Sequence, residues 1–225
     1  MTNQQKARLI MDMLDELYPD PPIPLDHVNL FTFLIAVLLS ARTTDKMVNK
    51  VTPRLFALAD NPYDMAKLSE EQIREIIKPV GLSPQKAKAI KELSQILVDK
   101  FHGRVPSTME ELTSLPGVGR KTANVVMAQG FGQPAFPVDT HIFRLMHRWG
   151  LSDAKTPDGV EKDAKKIFPR DKWSKLHLQM VYYGREYSPA RQWDIEKDPI
   201  TKAIWQAEGK YPPKSKSRKK NPGQP

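Results

Sequence analysis

The amino-acid sequence predicts an all-α fold, and three observations carry that prediction. Apolar residues recur at intervals of three and four along almost the whole chain. Helix-start and helix-stop signals bracket those stretches. No segment sustains the alternation of a half-buried strand, and no internal repeat is present.

The elements follow in order. Residues 4–17 place Leu9, Ile10, Met13, Leu14 and Leu17 at helical spacing. A loop from Tyr18 to Leu25 holds four prolines. A helix near residues 29–41 is apolar from Leu30 to Leu39, about half the length of a membrane span, so it reads as a buried helix. Another lies near 45–59. Ser69 and Gln72 form a capping box ahead of Ile73, Ile76 and Ile77, and Gly81 is a stop signal. Pro84 opens a helix that ends near Phe101. Ser107, with Glu110 three residues on, reads as a second capping box that starts the next helix. A further helix runs from Lys121 to about Gln129, with Val125, Val126 and Ala128 apolar. Asp139 caps a helix from Thr140 to Trp149. The last helices are expected near 158–167, 171–187 and 198–208.

Composition limits the function classes. The chain has 225 residues, enough for one large domain or two small ones. Its start, Met1 to Lys6, is polar and leads into an amphipathic helix, unlike a signal peptide. It contains no cysteine, which excludes disulfides, zinc–thiolate sites and cysteine-held iron–sulfur clusters and fits a cytoplasmic protein. Net charge is +9, but six of the cations (Lys210, Lys214, Lys216, Arg218, Lys219, Lys220) stand beyond Gly209 with no acid among them, which leaves +3 for the body. Residues 211–225 are expected to form a disordered basic tail that holds nucleic acid weakly and without sequence preference, or merely keeps the protein soluble.

The most informative stretch is Leu115-Pro116-Gly117-Val118-Gly119-Arg120-Lys121-Thr122-Ala123. Pro116 stiffens the approach, while Gly117 and Gly119 permit positive φ and leave N–H groups uncovered. The first turn of the following helix has N–H groups without internal partners, at the positive end of the dipole. Gly117, Val118, Gly119 and Arg120 thus form a candidate phosphate-binding turn with Lys121 beside it. On its own, Pro-Gly-x-Gly is more often just a loop. Flanked by helices over about 107–130, it has the helix–hairpin–helix arrangement.

With Val138-Asp139-Thr140-His141-Ile142-Phe143-Arg144 downstream, the chain resembles the endonuclease III family of DNA glycosylases from about Leu30 to Arg191. Leu34 to Ala41, Thr44-Asp45 and Gly184-Arg185 belong to the same likeness. The resemblance implies two helical lobes with a DNA-binding cleft: a helical barrel of residues 22–135, and a second lobe of residues 1–21 and 136–210. It implies a base-excision repair glycosylase with abasic-site (AP) lyase activity that removes oxidised pyrimidines from damaged double-stranded DNA. The expected setting is a monomer in the cytoplasm, associated with the nucleoid and not with a membrane.

Breaking the bond between base and sugar builds oxocarbenium-like charge, which a carboxylate stabilises and a neutral amine attacks. Lys121 matches the family's nucleophilic lysine, whose Schiff base leads to β-elimination. The helix N-terminus and the like charge of Arg120 both favour its neutral form. Asp139 matches the catalytic aspartate, though an aspartate before a helix is commonly just a cap. His141 and Arg144 match positions for support or phosphate contact; packed or ion-paired roles fit them equally. A target base must be flipped out, and the resemblance places Arg42 and Leu82 in the space it leaves. Leu82 fits the apolar wedge; Arg42 departs from the usual glutamine, which puts the opposite-base preference in doubt. A relative that removes adenine or another base without cutting is disfavoured by Lys121 and by the lack of an acid from Leu30 to Ala41. A non-catalytic DNA-binding module is disfavoured by the presence of both Lys121 and Asp139.

The largest departure lies at Tyr187 to Ile195. Ser188 stands at the family's first cluster cysteine and Ile195 approximately at the second, so neither a cluster nor any other cofactor or metal is expected. Arg191 persists as a DNA-contact candidate, but Gln192, Trp193 and Asp194 replace the basic run after it. Trp193, Ile195, Ile200, Ile204 and Trp205 are expected to form a hydrophobic plug instead.

Overall fold

A computed structural model describes residues 1–212, so the expected tail lies outside the described residues from residue 213 onward. Among the described residues every regular element is helical. The first lobe contains α2 (Leu30–Leu39), α3 (Asp45–Leu58), α4 (Pro62–Lys67), α5 (Glu70–Ile77), α6 (Ser83–Phe101), α7 (Met109–Thr113) and α8 (Arg120–Val125). The second contains α1 (Asn3–Leu17), α9 (Thr140–Arg148), α10 (Pro157–Ile167), α11 (Trp173–Glu186) and α12 (Pro199–Ala207). None of the helices among the described residues is long and apolar enough to cross a membrane.

Side-chain caps fix most of the starts. Ser69 and Gln72 make the expected reciprocal box at α5, and Thr2 with Gln5 and Asn29 with Thr32 do the same for α1 and α2. Three details differ from the sequence reading. Helix α4 was not expected; Asn61 caps it and Pro62 occupies its first turn, but six residues are too few to show periodicity. Helix α7 starts one residue late: Thr108, not Ser107, is the cap, and its hydroxyl meets the Glu111 carboxylate, so no reciprocal box forms. The Ser107 carbonyl instead accepts from the Gln133 amide at 3.0 Å. Helix α8 does not continue as α-helix to Gln129 but widens into a π-helical turn, Val126–Gly130.

Two apolar cores result. Helix α2 is apolar all round and therefore central to the first: Leu34, Ile35 and Leu39 are fully buried among Val48 and Leu55 of α3, Ile73 and Ile77 of α5, and Ile90 and Leu93 of α6. The second joins the two ends of the chain. Ile10 and Leu14 of α1 pack with Ile142 and Met146 of α9, Met180 and Tyr183 of α11, and Ile200 and Ile204 of α12. Lys6, only 5% exposed, fastens the join: its ammonium donates to the Trp149 carbonyl at 3.0 Å and pairs with Glu208 at 2.7 Å.

The segment before α12 is held by more than apolar contact. Ile200 and Ile204 are buried, Trp205 packs against their core, and Trp193 meets Trp205 edge to face with centroids 5.7 Å apart. Ile195 stands outside this cluster, contrary to the expected plug. A polar centre takes its place. Asp198, fully buried, accepts from the Tyr183 hydroxyl, from Trp193 Nε1 at 2.8 Å and from the Thr201 N–H at 3.1 Å. Ser188 is also fully buried; its hydroxyl and carbonyl both meet Arg148, whose guanidinium lies 4.2 Å from the Trp193 ring centre. An iron–sulfur cluster requires thiolates. A serine bonded to a guanidinium that lies over an indole does not fit that group.

Candidate active site

A cavity of about 440 Å³ opens between the lobes and brings together residues from both. Lys121 and Arg42 enter from the first lobe; Asp139, His141, His177 and Arg185 enter from the second. An ion pair between Asp45 of α3 and Arg185 of α11 crosses the cavity's edge.

The hairpin seats on the first lobe through one glycine. Gly117 has φ of 74°, and a Cβ there would lie 2.9 Å from both Ala89 Cβ and Leu38 Cδ1. Only glycine allows that backbone and that approach. Gly119 does not use positive φ; it is an extended N-cap with φ of −87° and no side-chain bond. The first intrahelical acceptor of α8 serves Ala123, so the N–H groups of Arg120, Lys121 and Thr122 precede the ladder. Val118 turns inward: its side chain is buried and its N–H donates to the Leu115 carbonyl at 3.1 Å. Lys121 is exposed. The like charge expected from Arg120 is offset, because its guanidinium lies 3.5 Å from Asp158 and 3.4 Å from the buried Glu161.

Asp139 is half-buried. Oδ1 accepts from the N–H groups of His141 at 2.8 Å and Ile142 at 2.9 Å, so it does cap α9. Oδ2 has no hydrogen-bond partner among the described residues. The cap therefore fixes the carboxylate while leaving one oxygen for another group. His141 is packed: its ring takes an N–H from Arg144 at 2.9 Å, and burial lowers its pKa against the opposing pull of Asp139. Arg144 also donates to the carbonyls of Gly184 and Ser188, each at 2.9 Å, which commits it to joining α9 and α11. Gly184 permits that approach; a Cβ on it would stand 2.8 Å from His141 Cβ. Arg191 is exposed on the loop beyond.

Arg42 and Leu82 are both exposed and both left-handed, with φ of 59° and 50°. For side chains of this size such a backbone persists only when its surroundings fix it. Lys86, 6% exposed, supplies the fixing. Its ammonium donates to the carbonyls of Leu39 at 2.9 Å, Ala41 at 2.8 Å and Val80 at 3.3 Å, tying the Arg42 loop to the Leu82 loop. Burial lowers its pKa.

Sequence reasoning missed Lys86, and it missed His177. The His177 ring is buried, with Nδ1 3.0 Å from the Gln129 amide nitrogen. Burial pushes its pKa down to about 4; the Asp139 carboxylate opposes the shift and the Lys121 charge adds to it. Both residues sit inside helices without a motif, so only the tertiary fold reveals their place.

A two-lobed helical scaffold, with a glycine-seated hairpin facing a capped carboxylate across a cleft, defines a class. Residues 35–170 match the HhH-GPD superfamily of base excision DNA repair proteins. Endonuclease III of Treponema pallidum is 44% identical over 192 residues, covering 85% of this chain and 91% of that protein. The chain belongs to the endonuclease III family of that superfamily. Two solved structures are similar throughout. A trapped covalent intermediate of endonuclease III with DNA has a TM-score of 0.84 at 41% identity, covering 89% of this chain and 94% of that one. A non-covalent endonuclease III–DNA complex has a TM-score of 0.86 at 39% identity, covering 93% and 98%.

Proposed function

We propose that this protein is a base-excision repair DNA glycosylase and AP lyase that removes oxidised pyrimidines from duplex DNA. One observation carries the reading: an exposed lysine at the start of α8 and a cap-fixed aspartate at the start of α9 line one cavity from opposite lobes. An everted nucleotide occupies the cavity. The Asp139 carboxylate stabilises positive charge at the sugar as the base departs. The Lys121 amine attacks C1′ and forms a Schiff base, which acidifies the 2′ protons and permits β-elimination. The trapped covalent intermediate of endonuclease III with DNA supports the covalent step.

The hairpin, through Gly117, Gly119 and the N–H groups from Arg120 onward, receives a phosphate of the backbone. Leu82 and Arg42, held by Lys86, fill the space left by the flipped base. His141 shapes the site through packing, and Arg191 meets the duplex from the far loop. The protein works as a cytoplasmic monomer without a cluster, its C-terminal segment held by the Asp198 and Ser188 networks.

Borohydride reduction tests the assignment. Wild-type protein should be trapped on DNA that carries an oxidised pyrimidine or an abasic site. Lys121→Ala should lose trapping and keep DNA binding. Undiminished trapping in that variant overturns the role of Lys121.

A further inference from the structure

The cavity holds a pair of polar side chains that the lysine–aspartate chemistry does not use. Gln129 lies in the π-helical turn Val126–Gly130, a distortion that recurs at functional sites. Its amide nitrogen donates to the Ser174 carbonyl at 2.8 Å, which fixes which end of the amide is NH₂. The second N–H of that nitrogen meets His177 Nδ1 at 3.0 Å. Nδ1 is therefore an acceptor, and the neutral ring carries its proton on Nε2. Nε2 has no hydrogen-bond partner among the described residues, yet it is not a sealed, unsatisfied atom. It is thus a donor with solvent access, on a buried ring in the cavity lining.

A lone N–H donor in the lining complements one chemical group of a base, a ring carbonyl oxygen. Thymine derivatives saturated or oxidised at C5 and C6 keep two such oxygens, O2 and O4. We propose that His177 is a specificity-determining residue that donates from Nε2 to a carbonyl oxygen of the everted base, while Gln129 sets the imidazole tautomer that makes Nε2 the donor. This rests on the pyrimidine reading given above. The depressed pKa of His177 keeps the ring neutral at the pH of the cell, so the tautomer set by Gln129 persists. Arg42, Lys121 and Arg185 are the cations, and Asp45 and Asp139 the carboxylates, that share the cavity lining with it.

The test separates base recognition from the lyase step, because an abasic site presents no base. Two duplexes are compared under single turnover, one with 5,6-dihydrothymine and one with a preformed abasic site. His177→Leu should slow excision of dihydrothymine by about 10- to 30-fold, the scale of one hydrogen bond lost in a desolvated site. Its cleavage of the abasic site should stay within about twofold of wild type, since that step has no base to contact. His177→Gln, which returns an N–H close to the position of Nε2, should recover most of the excision rate. Equal loss on both duplexes makes His177 structural and overturns the proposal, as does undiminished excision by the leucine variant. If that variant is unfolded by circular dichroism, Gln129→Leu carries the same comparison with the same two outcomes. Wild-type protein that cleaves the abasic duplex but leaves dihydrothymine untouched overturns the pyrimidine reading itself, and this inference with it.

Discussion

At the scale of single residues, Asp139 does two jobs with two oxygens. Oδ1 holds the start of α9 and Oδ2 is left for the cleft. Asparagine keeps a carbonyl oxygen that can cap while removing the charge. Asp139→Asn should therefore melt within about 1 kcal/mol of wild type yet excise base at least about 100-fold more slowly. Near-normal single-turnover excision would reduce Asp139 to a cap. His177 makes a different prediction, about acid. An unfolded histidine gains its proton as pH falls through about 6.5, whereas the buried ring resists down to about 4. Between those values the unfolded chain binds the extra proton, so this group's contribution to stability is lost as pH falls. Urea titrations should show about 2–3 kcal/mol lost through this ring between pH 7 and pH 4.5. His177→Gln should flatten that dependence, and an unaltered pH profile would mean the ring is not held neutral.

At the scale of elements, a buried cation carries the geometry of two loops. Replacing Lys86 with methionine keeps its length but leaves three carbonyls without their donor. Lys86→Met should cost roughly 2–4 kcal/mol in thermal or urea unfolding. It should also slow insertion of the Arg42 and Leu82 loops, read by 2-aminopurine fluorescence opposite the lesion; normal insertion kinetics would detach Lys86 from that step. Trp205 is only half-buried, so Trp205→Ala should cost about 2–3 kcal/mol, below the range for a fully buried ring. Much of this level was legible in the sequence. Capping boxes act within four residues, so Ser69 and Gln72 reveal α5 without any tertiary knowledge, and glycine spacing with Lys121 and Asp139 marks the two faces of the cleft. The Ser107 box did not form because Thr108, one residue on, caps α7 with its own hydroxyl. The polar centre at Asp198 and the roles of Lys86 and His177 were not legible, since each depends on partners dozens of residues away or on the shape of a loop.

At the scale of the whole molecule, charge is divided between body and tail. Removing residues 212–225 deletes five cations. If each meets a phosphate, the slope of log K against log salt should fall by up to about 4.5; an unchanged slope would leave the tail with no part in binding. Purified protein should also be colourless and free of iron by elemental analysis. The join between α1 and the last third of the chain has a consequence for synthesis on the ribosome. The first core is complete once Val126 has emerged, and it can fold while the remainder is still being made. Helix α1 emerges before that core, yet the residues that bury Ile10 and Leu14 run from Phe136 to Ile204. At about 5–20 residues per second its apolar face waits for several seconds or longer. For that interval the nascent chain carries a finished core and, apart from it, an orphaned sticky helix. This makes α1, rather than the more hydrophobic α2, the segment on which holding chaperones would act.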